Sequence, residues 1–153
     1  MAEERWVVFG LGALQHAAPI DRVREILRPV PVTRMPRVAP FVRGLFNLRG
    51  QVLPLLDTKA RLGLADATAS GPAKARVVVV ETAAGGFGLM VDEVFEVLRC
   101  GPEVRQTPEA VMELSAARFT ESVLDLGGRL IFVLDLDALV EGVSDPGSVL
   151  GFA

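Results

Sequence analysis

The sequence predicts a mostly β protein built as two small antiparallel barrels with a few short helices, and three observations lead there. The first is internal duplication. Ile20-Asp21-Arg22-Val23-Arg24-Glu25-Ile26-Leu27 returns as Val91-Asp92-Glu93-Val94-Phe95-Glu96-Val97-Leu98, an offset of 71 (91 − 20). Residues 45–57 return as 123–135, an offset of 78 (123 − 45), so the second copy carries seven more residues between its blocks. The second observation is a set of short runs rich in Val and Leu, separated by glycine-containing turns of the kind that close tight hairpins. The third is the linker composition of residues 65–73, small, polar and rich in breakers, which divides copy one (about 5–64) from copy two (about 75–142). Two related units with a seam between them follow from the duplication. The 153 residues make one domain in which the barrels are free to exchange strands.

In chain order, 6–9 reads as a strand that pairs with 14–18 across the glycines at 10–12, and 77–80 with 87–91 repeats that hairpin around Ala83-Ala84-Gly85-Gly86. Each Asp-x-Val-x-Glu octet reads as a short helical turn leading into a strand. Residues 38–44 fit a helical turn or a loop, because Pro36 and Pro40 limit regular structure. The hairpin 45–56 turns at Arg49-Gly50 and its copy, 123–134, turns at Gly127-Gly128. Asp57 and Asp135 end these hairpins as helix N-caps for 58–62 and 136–140. Residues 101–115 hold the extra length of copy two, and 109–117 read as a short helix. About five strands per copy, each set closed on itself, leave few exposed edges.

Composition argues against most chemistry. The chain has one His, one Cys and no Tyr, too few groups for the usual general bases, nucleophiles or a zinc site. His16, in an apolar strand, reads as a packing or surface residue, and Cys100 as a small semi-buried hydrophobe in a chain suited to a reducing cytoplasm. The carboxylate pairs Asp92-Glu93 and Asp135-Asp137 read as capping and solubility. The glycines form no phosphate loop, and a net charge of −3 with little interleaving of basic and aromatic residues gives no case for nucleic acid. The acidic N-terminus is not a signal peptide, and no apolar run reaches the about 20 residues that span a bilayer. Charge is uneven, however: residues 1–63 hold ten Lys/Arg against five Asp/Glu, and 64–153 hold six against fourteen. Both uneven surface drift and a partner face specific to one lobe account for that.

Arg49 stands out against its own copy. Copy two has Gly127 at the same place in the hairpin, whereas an arginine there bears about 1 kcal/mol if it takes positive φ. An exposed arginine on a rigid turn makes an anchor for a partner carboxylate; a solvated residue in a looser turn is the alternative.

Residues 42–57, Val-Arg-Gly-Leu-Phe-Asn-Leu-Arg-Gly-Gln-Val-Leu-Pro-Leu-Leu-Asp, resemble the signature of the CheW-like family. The likeness extends over nearly the whole chain, through 9–12, 18–20, Val23-x-Glu25-Ile26, Gly88-Leu89-x-Val91-Asp92 and 130–134. It implies two five-stranded, SH3-like barrels about a pseudo-twofold axis. It also implies a cytoplasmic adaptor at receptor arrays, without catalysis or cofactor, that couples chemoreceptors to a CheA-like histidine kinase. By matching positions, Glu25, Ile26, Arg43 and Gly44 are expected toward the kinase's regulatory domain. Val23, Arg49, Val78 and Gly88 are expected at or near the groove that takes the receptor's helical hairpin tip. His16, Glu121-Ser122 and Thr58-Lys59 depart from the family pattern, so a paralogue in a non-flagellar pathway that binds only one partner fits as well.

Overall fold

The computed structural model describes residues 3–64, 71–110 and 116–143. Copy one supplies β1 (Glu4–Leu11), β2 (Leu14–Pro19), β3 (Val23–Leu27), β4 (Val42–Leu48), β5 (Gln51–Asp57) and helix α1 (Thr58–Leu62). Copy two supplies β6 (Arg76–Thr82), β7 (Gly85–Val91), β8 (Glu93–Cys100), the two-residue β9 (Arg105–Gln106), β10 (Thr120–Asp125), β11 (Leu130–Leu134) and α2 (Leu136–Leu139). These strands form two SH3-like units, one of order β8-β1-β2-β11-β10-β9 (barrel A) and one of order β3-β6-β7-β5-β4 (barrel B). Neither sheet is made from one copy alone. The first hairpin of each copy, β1–β2 or β6–β7, sits in the sheet whose other strands come from the other copy. Each inserted hairpin has one parallel junction, β2 on β11 or β7 on β5, and one antiparallel junction, β1 on β8 or β6 on β3.

The reason lies in strands that are apolar on both faces. In β1, Trp6 and Val8 enter the core of barrel A, while Val7, Phe9 and Leu11 enter a central core between the sheets. Their equivalents in β6 do the same for barrel B: Val77 and Val79 face its interior, and Val78 and Val80 face the centre. With side chains alternating across the strand, an uninterrupted apolar run is what burial on both sides requires. Phe87, Leu89, Leu134, Leu136 and Leu139 complete the central layer.

Equivalent hydrogen bonds repeat at the offset of 78. Asp57 Oδ1 accepts from Ala60 N–H at 3.1 Å and Asp135 Oδ1 from Ala138 N–H at 3.0 Å, the two expected N-caps. Asp57 N–H donates to Phe41 O at 2.7 Å and Asp135 N–H to Phe119 O at 2.8 Å.

One reading of the sequence changes and one is resolved. The helical turn before the repeated strand forms in copy one, a 3₁₀ turn at Ile20–Arg22, but not in copy two. There Asp92 N–H donates to Gly10 O at 2.9 Å, which carries β7 almost directly into β8. Of residues 38–44, read as a helical turn or a loop, 38–41 form a loop with turns and 42–44 open β4. Residues 111–115 of the expected helix 109–117 lie outside the described residues, which flank them with 3₁₀ turns at Pro108–Ala110 and Ala116–Phe119. The extra length of copy two also contributes β9, a sixth strand for barrel A.

Candidate interaction surface

Arg49 takes the left-handed conformation at φ +50°, followed by Gly50 at φ +85°, the pair of positive angles that a two-residue hairpin turn needs. Asn47 Oδ1 holds the turn by accepting from Gly50 N–H at 2.9 Å. Copy two builds the same turn without strain from Gly127 and Gly128, held by Asp125 Oδ1. The strained arginine has a partner: its Nη1 donates to Glu25 Oε1 on β3. That hydrogen bond holds the Glu25 carboxyl below its ordinary range. β3 and the β4–β5 hairpin stand toward opposite ends of the strand order, so the ion pair bridges the place where the sheet curls back on itself. Copy two makes the equivalent clasp from a different residue. Arg129, at the position of Gln51, reaches Glu96, the counterpart of Glu25, at 2.6 Å. An arginine on the turn itself is therefore redundant there, and the turn keeps two glycines.

The eight residues singled out by resemblance divide by burial. Glu25, Arg49, Arg43 and Ile26 reach the surface, Ile26 with 42% of its area exposed. Val23 is half-buried and packs on the central core. Val78 is fully buried in that core. Gly88 is buried beneath Phe46, whose ring carbon lies 2.7 Å from where a Cβ would stand. Gly44 takes φ +145°, and a Cβ there would meet Thr33 O at 2.3 Å. Its missing side chain lets the 29–33 segment bridge to β4, with Thr33 N–H donating to Leu45 O at 2.8 Å. Val78, Gly88 and Gly44 thus shape the surface from beneath, and Glu25, assigned by resemblance to the kinase side, is tied directly to Arg49, assigned to the receptor side.

Beyond these, the seam relies on residues that sequence reasoning passed over. The Arg61 guanidinium lies between the rings of Phe41 (4.2 Å) and Phe119 (4.7 Å), which occupy the same position in the two copies. It donates to Leu139 O at 2.8 Å and Glu141 O at 3.0 Å, completing the C-terminus of α2. Burial, then the nearby Arg118, lowers its pKa. Asp92, read as a solubility residue, is buried. It pairs with Lys59 Nζ at 3.0 Å and accepts from Gly12 N–H at 2.7 Å. The two phenylalanines at one repeat position were the available signal for Arg61.

Acid–base chemistry finds little here. His16 is buried beside Phe132, its Nδ1 has no partner, and burial pushes its pKa down to about 4, so it is neutral at pH 7. Cys100 is a buried thiol packed with the barrel A core, and burial raises its pKa. Among the described residues no three His, Cys, Asp or Glu side chains converge as a metal site, and no helix is long and apolar enough to cross a membrane.

The sequence profile of the CheW-like domain matches residues 5–144. The chain belongs to the CheW-like family. Among CheW relatives, the probable chemotaxis protein CheW of Rhizobium etli is 34% identical over 134 residues, covering 87% of this chain and 84% of that protein. The chemotaxis protein CheW of Rhizobium meliloti is 33% identical over 135 residues, covering 87% and 84%. Protein PilI of Pseudomonas aeruginosa is 37% identical over a shorter 98 residues, 61% of this chain and 53% of that protein. The crystal structure of the scaffolding protein TtCheW from Thermoanaerobacter tengcongensis superposes with a TM-score of 0.82 at 28% identity, covering 92% of this chain and 90% of that one. The CheW-like signature at 42–57 is the segment that builds β4, the strained turn and β5.

Proposed function

We propose that the chain is a non-enzymatic cytoplasmic adaptor coupling chemoreceptors of the methyl-accepting type to a CheA-like histidine kinase, stationed at receptor arrays. The observation that carries this reading is membership of the CheW-like family over residues 5–144, reinforced by relatives named as chemotaxis proteins. In this reading Glu25, Ile26, Arg43 and Gly44 serve the kinase's regulatory domain. Val23, Arg49, Val78 and Gly88 serve the receptor's helical hairpin tip, Val78 and Gly88 by forming the wall on which exposed residues are set. The Arg49–Glu25 pair joins the two sets, so occupation of one side alters the charge offered to the other. Two modest interfaces on one small protein suit a lattice, where each contact raises the effective concentration of the next.

A second reading rests on the likeness to PilI, a relative not named as a chemotaxis protein. In it the chain is a modulator in a non-flagellar pathway and keeps one partner only. Co-purification with the cognate kinase's regulatory domain and with a receptor tip separates the readings. Both partners are expected to bind, with Arg49→Glu impairing signalling. Binding of one alone favours the second reading. If neither binds and Arg49→Glu signals normally, the adaptor reading fails.

A further inference from the structure

Barrel B has a pocket of about 220 Å³, and the duplication explains how it arises. Its floor is Leu55, Val77 and Val91, one wall is Val30 and Val32, and Arg43 and Arg76 stand at its rim. The volume is below the about 300–1,000 Å³ of small-molecule sites and suits one or two side chains.

The bridge of Thr33 to Leu45 in barrel B corresponds to that of Gln106 to Val123 in barrel A, since Leu45 and Val123 are repeat partners. Val32 therefore stands where barrel A has Arg105. Around Arg105, barrel A closes the space. Its guanidinium lies over the Trp6 ring at 5.2 Å, bonds Glu4 at 2.9 Å, and pairs with Glu121. The barrel B counterparts of Trp6, Glu4 and Glu121 are Val77, Ala75 and Arg43. A large ring, a long basic chain and two carboxylates have been replaced by two valines, an alanine and an arginine. The first three changes open the hole, and the fourth makes its rim positive.

Among the described residues that positive charge has no carboxylate partner. Arg43 makes no ion pair among the described residues, and Arg76 donates only to the carbonyls of Ala73 and Ala75. Arg28, Arg34 and Arg37 on the same stretch are likewise without ion pairs there. What barrel A holds internally, apolar bulk beside carboxylate, is what barrel B is shaped to receive from outside.

We propose that this pocket docks a segment of a partner protein that inserts one apolar side chain and sets a neighbouring carboxylate against Arg43 and Arg76. This goes beyond the adaptor reading, because it fixes the chemistry of the docked segment without requiring either of the partners named there. An apolar anchor framed by charge complementarity is the form in which small interfaces concentrate their energy.

The test is amide chemical shifts of the isotope-labelled full chain, titrated with a blocked peptide of sequence Ser-Glu-Leu-Glu-Leu-Ser at millimolar concentration. Saturable shifts centred on Val30, Val32, Arg43 and Val77 are expected. Arg43→Glu should weaken binding by about tenfold or more. Val32→Arg, which gives barrel B the residue that barrel A carries, should abolish it, and replacing the peptide's glutamates by lysine or its leucines by serine should do the same. Absent shifts, shifts elsewhere, or indifference to both variants overturn the proposal. So does concentration-dependent self-association mapping to these residues without peptide, which would make the occupant a second copy. A failed co-purification with kinase and receptor leaves this result untouched, and a failed titration leaves the adaptor reading untouched.

Discussion

The two halves of the seam are tied by the same device with its charges exchanged. In one, the helix supplies the cation: Lys59 of α1 reaches Asp92, and Asp92 Oδ2 accepts from Gly12 N–H at the tip of the β1–β2 hairpin. In the other, the helix supplies the carboxylate. Asp137 of α2, the repeat partner of Lys59, reaches Arg22 at 3.0 Å, and its Oδ1 accepts at 2.8 Å from Ala83 N–H at the tip of β6–β7. Gly12 and Ala83 are themselves repeat partners. The N–H of Ala83, followed by the pull of Arg22, lowers the Asp137 pKa. A carboxylate between a hairpin tip and a cation is thus what the architecture requires, while the element that carries it is free to change. The ties also differ in depth: the Lys59 and Asp92 side chains are each 12% exposed, against 37% and 51% for Arg22 and Asp137.

That difference in depth sets the largest expected effect. Lys59→Met removes a cation from a shielded pair and should cost about 3–5 kcal/mol, whereas Arg22→Met, at the exposed tie, should cost about 1 kcal/mol or less. Urea unfolding of the two variants compares them directly, and equal losses would sink the claim that the ties differ in kind.

Next comes Gly44 against its repeat partner Ser122. Ser122 shows that barrel A tolerates a side chain here, but in barrel B the new Cβ would press on Thr33 O at a φ that side chains avoid. Gly44→Ala should cost about 3 kcal/mol while Ser122→Gly costs about 1 kcal/mol, both read from urea midpoints.

His16 and Phe87 are also repeat partners, and both are buried. The folded-state pKa of His16 is depressed from the ordinary histidine value of 6.5 to about 4, so the unfolded chain takes up a proton first as pH falls through that range. Stability is therefore fully present above that range, declines through it, and is about 2 kcal/mol lower near pH 5 on account of this group. His16→Phe, which restores the match to Phe87, should flatten that decline in unfolding curves taken from neutral to acid pH.

The smallest effect belongs to the turns. Arg49→Gly makes the β4–β5 hairpin resemble β10–β11, relieving a left-handed arginine while losing an exposed ion pair, and the two effects should nearly cancel. Its thermal midpoint should barely move.

Local features were legible because they depend on near neighbours. The turns at Arg49-Gly50 and Gly127-Gly128, the caps by Asp57 and Asp135 and the strand pairs within each hairpin follow from residue type and spacing. Strand exchange was open in the sequence because β1 and β6 have the same uninterrupted apolar character, which shows that both faces are buried without saying against which copy. Arg61 was signalled only by two phenylalanines at one repeat position, and Asp92 read only as a capping or solubility residue. A lone arginine on a short helix and an aspartate at the end of a strand look solvated until the fold brings Phe119 and Gly12 to them. At the candidate site, residue types pointed to the exposed arginine, and only the structure supplied its partner, Glu25.

Because β1 and β6 each furnish side chains to two apolar layers, neither half of the chain owns a finished sheet. Cutting the polypeptide between the copies would therefore not liberate two miniature proteins. Each fragment would carry a hairpin evicted from its home and an unfilled slot for its sibling's, so the pieces would reassemble in trans or aggregate. Melting of the intact chain should be a single event, since the first hairpin to let go opens a wound in the barrel and in the middle at once.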